Sequence, residues 1–188
     1  DTFNRYFEPE NLRSAVRVLR NAGYQPFYPK PEVKSDKALC CGKTHLSVGN
    51  ILKAKEAAER LVKTYLPFVQ RGLPIVGLEP SCLFALKDEI PSLLKTNDAK
   101  LVSENVISFE ELLSKDKKLL RLKPLKAKAL LHGHCHQKAF NVLQSVESVL
   151  HLIEELEVEK IETSCCGMAG AFGYSKETID FLIKKAEK

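Results

Sequence analysis

The sequence of 188 residues contains six cysteines, and they are clustered rather than scattered. Four of them form two adjacent pairs, each followed by glycine, and two stand alone: Cys40, Cys41, Cys82, Cys135, Cys165 and Cys166. Adjacent thiols are poorly suited to bond to each other, because the disulfide would force an unusual peptide conformation. Two neighbouring thiolates can instead reach different irons of a cluster, and iron–sulfur clusters need several thiolates. Inert burial is the alternative for a single cysteine, but the repeated Cys-Cys-Gly sequence favours ligation of a cofactor.

Glycine follows each cysteine pair, as Gly42 and Gly167. A glycine removes the side chain where the backbone must approach another group, which here would be the cofactor. Nearby helix N-termini would stabilise thiolates and the negative charge of a cluster. We therefore predict that the six cysteines bind metal and that Gly42 and Gly167 lie against the cofactor.

Three histidines alternate around Cys135, at His132, His134 and His136. If a strand continued through them, their imidazoles would share one face, which would suit zinc ligation. Alternatively, they close the site by hydrogen bonds to cluster sulfurs or to the backbone. His45, in the first Cys-Cys-Gly loop, is suited to either role.

Hydrophobic periodicity predicts helices and strands in alternation. The predicted strands are Tyr24–Tyr28, Leu73–Leu78, Ala127–His132 and Val158–Ile161. Helices are predicted over Pro9–Gly23, Leu83–Ile90, Ala139–Ile153 and Ser175–Lys188. A further helix begins after Gly49 and ends or kinks at Pro67, and another begins at a capping box formed by Ser108 and Glu111. Cys82 is thereby placed near a helix N-terminus.

The order of strand, helix, strand, Cys-Cys-Gly loop and helix occurs twice, which indicates an internal duplication. We predict an α/β fold with two pseudo-repeated halves, residues 1–123 and 124–188, joined through a lysine-rich connector. Each half has a short parallel sheet flanked by helices, with Cys-Cys-Gly loops at the carboxyl ends of strands, where such sheets bind ligands. Cys82 follows Cys41 by 41 residues, and the same step from Cys166 passes the last residue. We therefore expect a second half truncated at its C-terminus and a chain that is a piece of a larger oxidoreductase.

The composition is that of an ordinary globular protein, with 44% hydrophobic and 28% charged residues. The net charge of +5 is spread along the chain and tryptophan is absent, so nucleic-acid binding is not favoured. No apolar stretch approaches the roughly 20 residues of a transmembrane helix, and the start does not resemble a signal peptide. These features predict a cytoplasmic protein.

Four segments resemble the cysteine-rich, or CCG, domain family: residues 39–42, 77–82, 131–139 and 165–174. This family includes the iron–sulfur component of glycolate oxidase, lactate-utilisation iron–sulfur proteins and the cysteine-rich component of heterodisulfide reductase. The last two segments, HGHCHQKA and CCGMAGAFGY, most resemble the C-terminal part of FAD-containing D-lactate or D-2-hydroxy-acid dehydrogenases.

The resemblance implies an iron–sulfur electron-transfer domain of a flavin-linked 2-hydroxy-acid oxidoreductase of the D-lactate or glycolate type. FAD would lie on a separate domain or subunit, a ferredoxin-like iron–sulfur domain would be a further partner, and a carrier such as quinone would accept the electrons. Through these partners the protein would sit peripherally at the inner face of the membrane. Catalysis would belong to the whole oxidoreductase, and we do not expect it of the fragment alone.

The expected cofactor is a [4Fe–4S] cluster, of the cubane or the noncubane type, which an isolated fragment can lose. Relatives of the heterodisulfide reductase type add a C-x-x-C pair that is missing here, and the first half lacks a leading cysteine. We therefore favour one cluster shared by the six cysteines of both halves. A heterodisulfide reductase-like thiol–disulfide domain and a structural zinc module are the two alternatives.

Overall fold

A computed structural model describes residues 1–29, 38–117, 120–162, 167–168 and 172–186. The chain divides into two compact units, Asp1–Leu122 and Lys123–Lys188. Each unit contains a pair of parallel strands flanked by helices, which confirms the predicted α/β fold with short parallel sheets. That the two units are copies of one motif stays a prediction.

The first unit opens with a single π-helical turn at Phe3–Phe7. Its α-helices are α1 (Pro9–Asn21), α2 (Lys43–Ser47), α3 (Ile51–Val69), α4 (Pro80–Lys87), α5 (Glu89–Leu94), α6 (Asn97–Glu104) and α7 (Phe109–Lys115). Its strands are β1 (Ile75–Gly77) and β2 (Val106–Ser108). The sequence patterns did not predict the π-helical turn, α2, α5, α6 or β2.

Local sequence explains where the long helices start and stop. Pro9 opens α1, because a proline at the first position loses no hydrogen bond there. The Asn50 side chain accepts a hydrogen bond from Lys53 N at 3.3 Å and caps α3. This helix runs through Pro67 and ends at Val69, two residues beyond the proline.

The core of the first unit lies around the β1–β2 pair. Ile75 pairs with Val106 in parallel register, and all of β2 is buried. Helix α4 contributes a run of buried residues, among which Phe84 is fully buried, and Ile90 of α5 is fully buried as well. This packing fixes the carboxyl end of β1, where Cys82 follows.

The strand predicted at Tyr24–Tyr28 is wrong, because these residues are irregular in the structure. Pro26 lies at the centre of the segment and lacks the N–H that a strand ladder needs. The partner of β1 is instead β2, which lies later in the chain. In the described residues, the first Cys-Cys-Gly loop therefore does not follow a strand.

The second unit contains β3 (Ala127–Leu131), α8 (Cys135–Ala139), α9 (Leu143–Leu150), β4 (Leu156–Lys160), a 3-10 turn at Phe172–Tyr174 and α10 (Ile179–Ala186). The helix predicted over Ala139–Ile153 is shorter in the structure, where it corresponds to α9. Asn141, with a left-handed φ of +55°, lies between α8 and α9. The predicted C-terminal helix begins at Ile179 instead of Ser175. No helix in the described parts of the chain is long and apolar enough to cross a membrane.

Candidate metal centre

The first Cys-Cys-Gly loop leads directly into α2 and packs on α3. Gly42 precedes α2 with a left-handed φ of +78°. A Cβ atom at this position would lie 2.9 Å from Ala54 O, so a side chain would collide with the α3 backbone. The group that approaches Gly42 closely in the structure is the backbone of α3. Contact of Gly42 with a cofactor stays a prediction.

Cys82 is carried by the turn between β1 and α4. Glu79 caps α4, since its Oε1 accepts a hydrogen bond from Ser81 N at 3.1 Å, and Pro80 takes the first helical position. Cys82 is therefore the third residue of α4, which confirms its predicted place at a helix N-terminus. This end of a helix favours a negative charge such as a thiolate.

The loop and the turn bring two thiols together from distant parts of the sequence. The Sγ atoms of Cys41 and Cys82 are 3.6 Å apart. Cys41 is 7% exposed and Cys82 is half-buried. The Sγ atom of Cys40 accepts a hydrogen bond from Gly42 N at 3.4 Å. Three of the predicted ligands thus lie in one small region of the first unit.

Hydrogen bonds between the thiols set the order of their acidities. The hydrogen bond with Cys41, followed by burial, raises the pKa of Cys40 well above its usual value. The pKa of Cys41 is lowered by its contact with Cys40, but the hydrogen bond to Cys82 and burial outweigh this and leave it raised. The hydrogen bond from Cys41 lowers the pKa of Cys82. Cys82 is therefore the member of the trio that becomes a thiolate most readily.

Cys135 begins α8 in the second unit and is exposed. His134 caps this helix: its Nδ1 accepts a hydrogen bond from His136 N at 3.1 Å, and Gln137 Oε1 accepts one from His134 N at 3.0 Å. The reciprocal pair forms a capping box. Cys82 and Cys135 thus share a setting, since each lies in the first turn of a helix that follows the first strand of a parallel pair.

The histidines do not form the strip that an extended strand would produce. Strand β3 ends at Leu131, so His132, His134 and His136 do not alternate along it. The rings of His134 and His136 stack with their centroids 5.1 Å apart. Since Nδ1 of His134 serves as the helix cap, the structure favours the alternative role, hydrogen bonding to the backbone. His45 lies within α2.

The second cysteine pair, Cys165 and Cys166, lies outside the described residues. Gly167, which follows this pair, has a left-handed φ of +83°, close to the φ of +78° at Gly42. This shared conformation is consistent with two equivalent Cys-Cys-Gly loops. In the residues that the structure describes, no group of three or more Cys, His, Asp or Glu side chains is arranged to hold a metal ion. The assembled element is therefore the Cys41–Cys82 pair with Cys40 beside it.

One contributor to the site was missed in the sequence. Lys43, directly after the Cys-Cys-Gly loop, forms an ion pair with Glu89 of α5 at 2.6 Å. Both side chains are about 30% exposed. The two residues are 46 positions apart, and no motif in the sequence connects them.

Residues 2–87 match the family of cysteine-rich (CCG) domains. This match contains the motifs at residues 39–42 and 77–82, which confirms the cysteine-rich CCG family for this part of the chain, whereas the motifs at residues 131–139 and 165–174 lie outside the matched range. No solved structure matches the chain.

The chain is also similar to three named proteins. It is 31% identical over 178 residues to one of the subunits of anaerobic glycerol-3-phosphate dehydrogenase from Escherichia coli K12, covering 93% of this chain and 43% of that protein. It is 29% identical over 182 residues to an uncharacterized iron–sulfur protein of Methanocaldococcus jannaschii, covering 96% of this chain and 34% of that protein. It is 22% identical over 188 residues to D-2-hydroxyglutarate dehydrogenase of Pantoea ananatis, covering 96% of this chain and 17% of that protein. The chain thus spans less than half the length of each of these three proteins.

Proposed function

We propose that this chain is an iron–sulfur electron-transfer domain that serves a flavin-linked dehydrogenase of the 2-hydroxy-acid class. The observation that carries the proposal is the convergence of Cys41 and Cys82, whose Sγ atoms lie 3.6 Å apart in a cysteine-rich CCG domain. An iron–sulfur cluster would supply one-electron redox chemistry at these sulfurs.

The thiol separation fits ligation of metal. Two thiolates on one tetrahedral metal, whether zinc or an iron that carries two cysteines, lie roughly 3.8 Å apart when each metal–sulfur bond is about 2.3 Å. The separation of the Cys41 and Cys82 sulfurs is close to this value. Cys40, Cys135, Cys165 and Cys166 are the further ligands that we propose. His45, His132, His134 and His136 would support the site through hydrogen bonds.

The chain's own groups prepare the sulfurs for this role. The N-terminal turn of α4 and the hydrogen bond from Cys41 both favour the thiolate of Cys82. The hydrogen bond from Gly42 N fixes the direction of the Cys40 sulfur. Such N–H groups also tune the reduction potential of a bound cluster.

The names of the relatives support the electron-transfer role. They include a component of an anaerobic dehydrogenase, an iron–sulfur protein and a dehydrogenase of a 2-hydroxy acid. We therefore propose a partner domain or subunit with FAD that oxidises the substrate, a ferredoxin-like iron–sulfur domain, and quinone or a similar carrier as acceptor. D-lactate and glycolate are the substrates that we would test first. We place the complex in the cytoplasm, at the inner face of the membrane.

Anaerobic reconstitution with iron and sulfide tests the proposal. The wild-type chain should bind both elements, absorb broadly in the visible range and give an electron paramagnetic resonance signal after reduction. Cys82→Ser should lose most of the iron, whereas Ser81→Ala, which alters the neighbouring residue and keeps the thiol, should retain it. A wild-type chain that stays colourless and binds stoichiometric zinc instead would contradict the proposal and favour the structural zinc module.

A further inference from the structure

Cys41 and Cys82 form a dithiol that is held ready by two separate elements. Cys41 sits at the start of the loop that Gly42 anchors on α3, and Cys82 sits in the first turn of α4. Their sulfurs, 3.6 Å apart, need to approach by roughly 1.6 Å to reach the disulfide bond length of about 2.0 Å. Rotation of the two side chains moves sulfurs by such distances without unfolding the helices.

We propose that a peroxide converts this pair into a Cys41–Cys82 disulfide when no metal is bound, and that the disulfide blocks loading of the site. The effect of the disulfide on cluster assembly rests on the proposed function, whereas formation of the disulfide does not require iron. The same two sulfur atoms cannot ligate metal while they are bonded to each other.

The chemistry balances with one peroxide molecule. Hydrogen peroxide transfers one oxygen atom to the Cys82 sulfur, which becomes a sulfenic acid, and the other oxygen leaves as one water. The Cys41 sulfur then displaces hydroxide from the sulfenic acid, and the thiol proton leaves with it as a second water. Two thiols are oxidised by two electrons in all, and the peroxide is reduced by two.

The difference in burial between the two thiols supports this order. Cys82 is half-buried, so a molecule as small as a peroxide can reach it, whereas Cys41 is 7% exposed. Cys41 already directs its S–H at the Cys82 sulfur. Cys40 is exposed, but it is adjacent to Cys41 in sequence, where a disulfide is unfavourable.

The experiment treats the metal-free full chain with hydrogen peroxide and then digests it with trypsin without reduction. Cleavage after lysine and arginine places Cys40 and Cys41 in the peptide 38–43 and Cys82 in the peptide 72–87. We expect a cross-linked product of these two peptides that a reducing agent separates. Cys40→Ser should retain the cross-link, whereas Cys41→Ser and Cys82→Ser should abolish it.

Iron loading provides the second readout. Oxidised wild-type chain should take up at least tenfold less iron than the reduced chain, and treatment with a reducing agent should restore uptake. Circular dichroism of each serine variant establishes that it is folded. A cross-link that persists in Cys41→Ser, or oxidation of other cysteines while Cys41 and Cys82 stay reduced, would overturn the proposal. If the wild type forms the cross-link but binds no iron under any condition, the proposed function fails and the disulfide stands.

Discussion

Lys43 Nζ lies 2.6 Å from Glu89 Oε1, so an ion pair joins the residue after the first Cys-Cys-Gly loop to the first turn of α5. The other carboxylate oxygen of Glu89 is buried and has no hydrogen-bond partner within the described residues. Glu89 therefore depends on Lys43 to compensate its charge, and the pair connects the end of the loop to α5, whereas Gly42 lies against α3.

Replacement of Lys43 by methionine should lower the free energy of unfolding by about 1 to 2 kcal/mol, because it leaves a half-buried carboxylate without its cation. Urea denaturation measures the change. Lys100→Met is the matched control, since the Lys100–Glu104 pair is 4.0 Å apart and its side chains are mostly exposed. If the two variants lose the same free energy of unfolding, the Lys43–Glu89 pair contributes little to the stability of the chain.

Gly42→Ala should destabilise the chain more than Gly49→Ala. Both glycines have a left-handed φ, which costs a residue with a Cβ about 1 kcal/mol. At Gly49 the new Cβ would meet open space, whereas at Gly42 it would lie 2.9 Å from Ala54 O. Chemical denaturation gives the free energy of unfolding of each variant. The difference between the two values measures the cost of the clash between the Cβ at position 42 and α3. If both variants lose the same free energy of unfolding, the loop can move away from α3 without an energetic penalty, which would contradict the prediction.

His134→Ala should fray the start of α8 and cost about 1 kcal/mol of stability, because the cap on His136 N is lost. Cys135, the first residue of that helix, should then react faster with an alkylating reagent, as mass spectrometry of the alkylated peptide can follow. His134→Asn should preserve both properties, since asparagine is a good capping residue. An asparagine variant that behaves like the alanine variant would point to a role of the imidazole other than capping.

Tyr24 should make stability fall at alkaline pH. Partial burial and then the hydrogen bond to Asp116 raise its pKa to about 12, against about 10 in an unfolded chain. The folded chain keeps this proton over a range in which the unfolded chain has lost it, so the contribution is complete below about pH 10 and is lost as the pH rises towards 12.

Tyrosinate absorbance and unfolding measurements over this pH range can follow the effect. Tyr24→Phe should remove the contribution of Tyr24 to the alkaline titration and flatten the alkaline fall in stability, while Tyr65, whose pKa burial also raises, still contributes. Asp116→Asn keeps a hydrogen-bond acceptor but removes the charge, so it should lower the pKa of Tyr24 only in part. An unchanged titration in Tyr24→Phe would contradict this account.

Motifs and caps that depend on residues close together in the sequence could be predicted without the fold. The cysteine pairs, the glycines after them and the segment leading to Cys82 indicated a cysteine-rich CCG domain before any fold was known. The Ser108 and Glu111 capping box was also predicted and is present, because a cap depends on residues three positions apart.

Contacts between residues that are far apart in the sequence could not be predicted, because they depend on how the elements pack. The pairing of β1 with β2, and not with Tyr24–Tyr28, depends on packing between segments about 30 residues apart. The end of β3 at Leu131 placed His134 as a helix cap and not on a row of zinc ligands. The 3.6 Å approach of Cys41 to Cys82 and the Lys43–Glu89 pair likewise depend on tertiary packing, since α2 packs on α3 and α5 packs on both α3 and α4. Periodicity describes only neighbours along one element, so contacts between elements become visible only once their buried faces have been packed together.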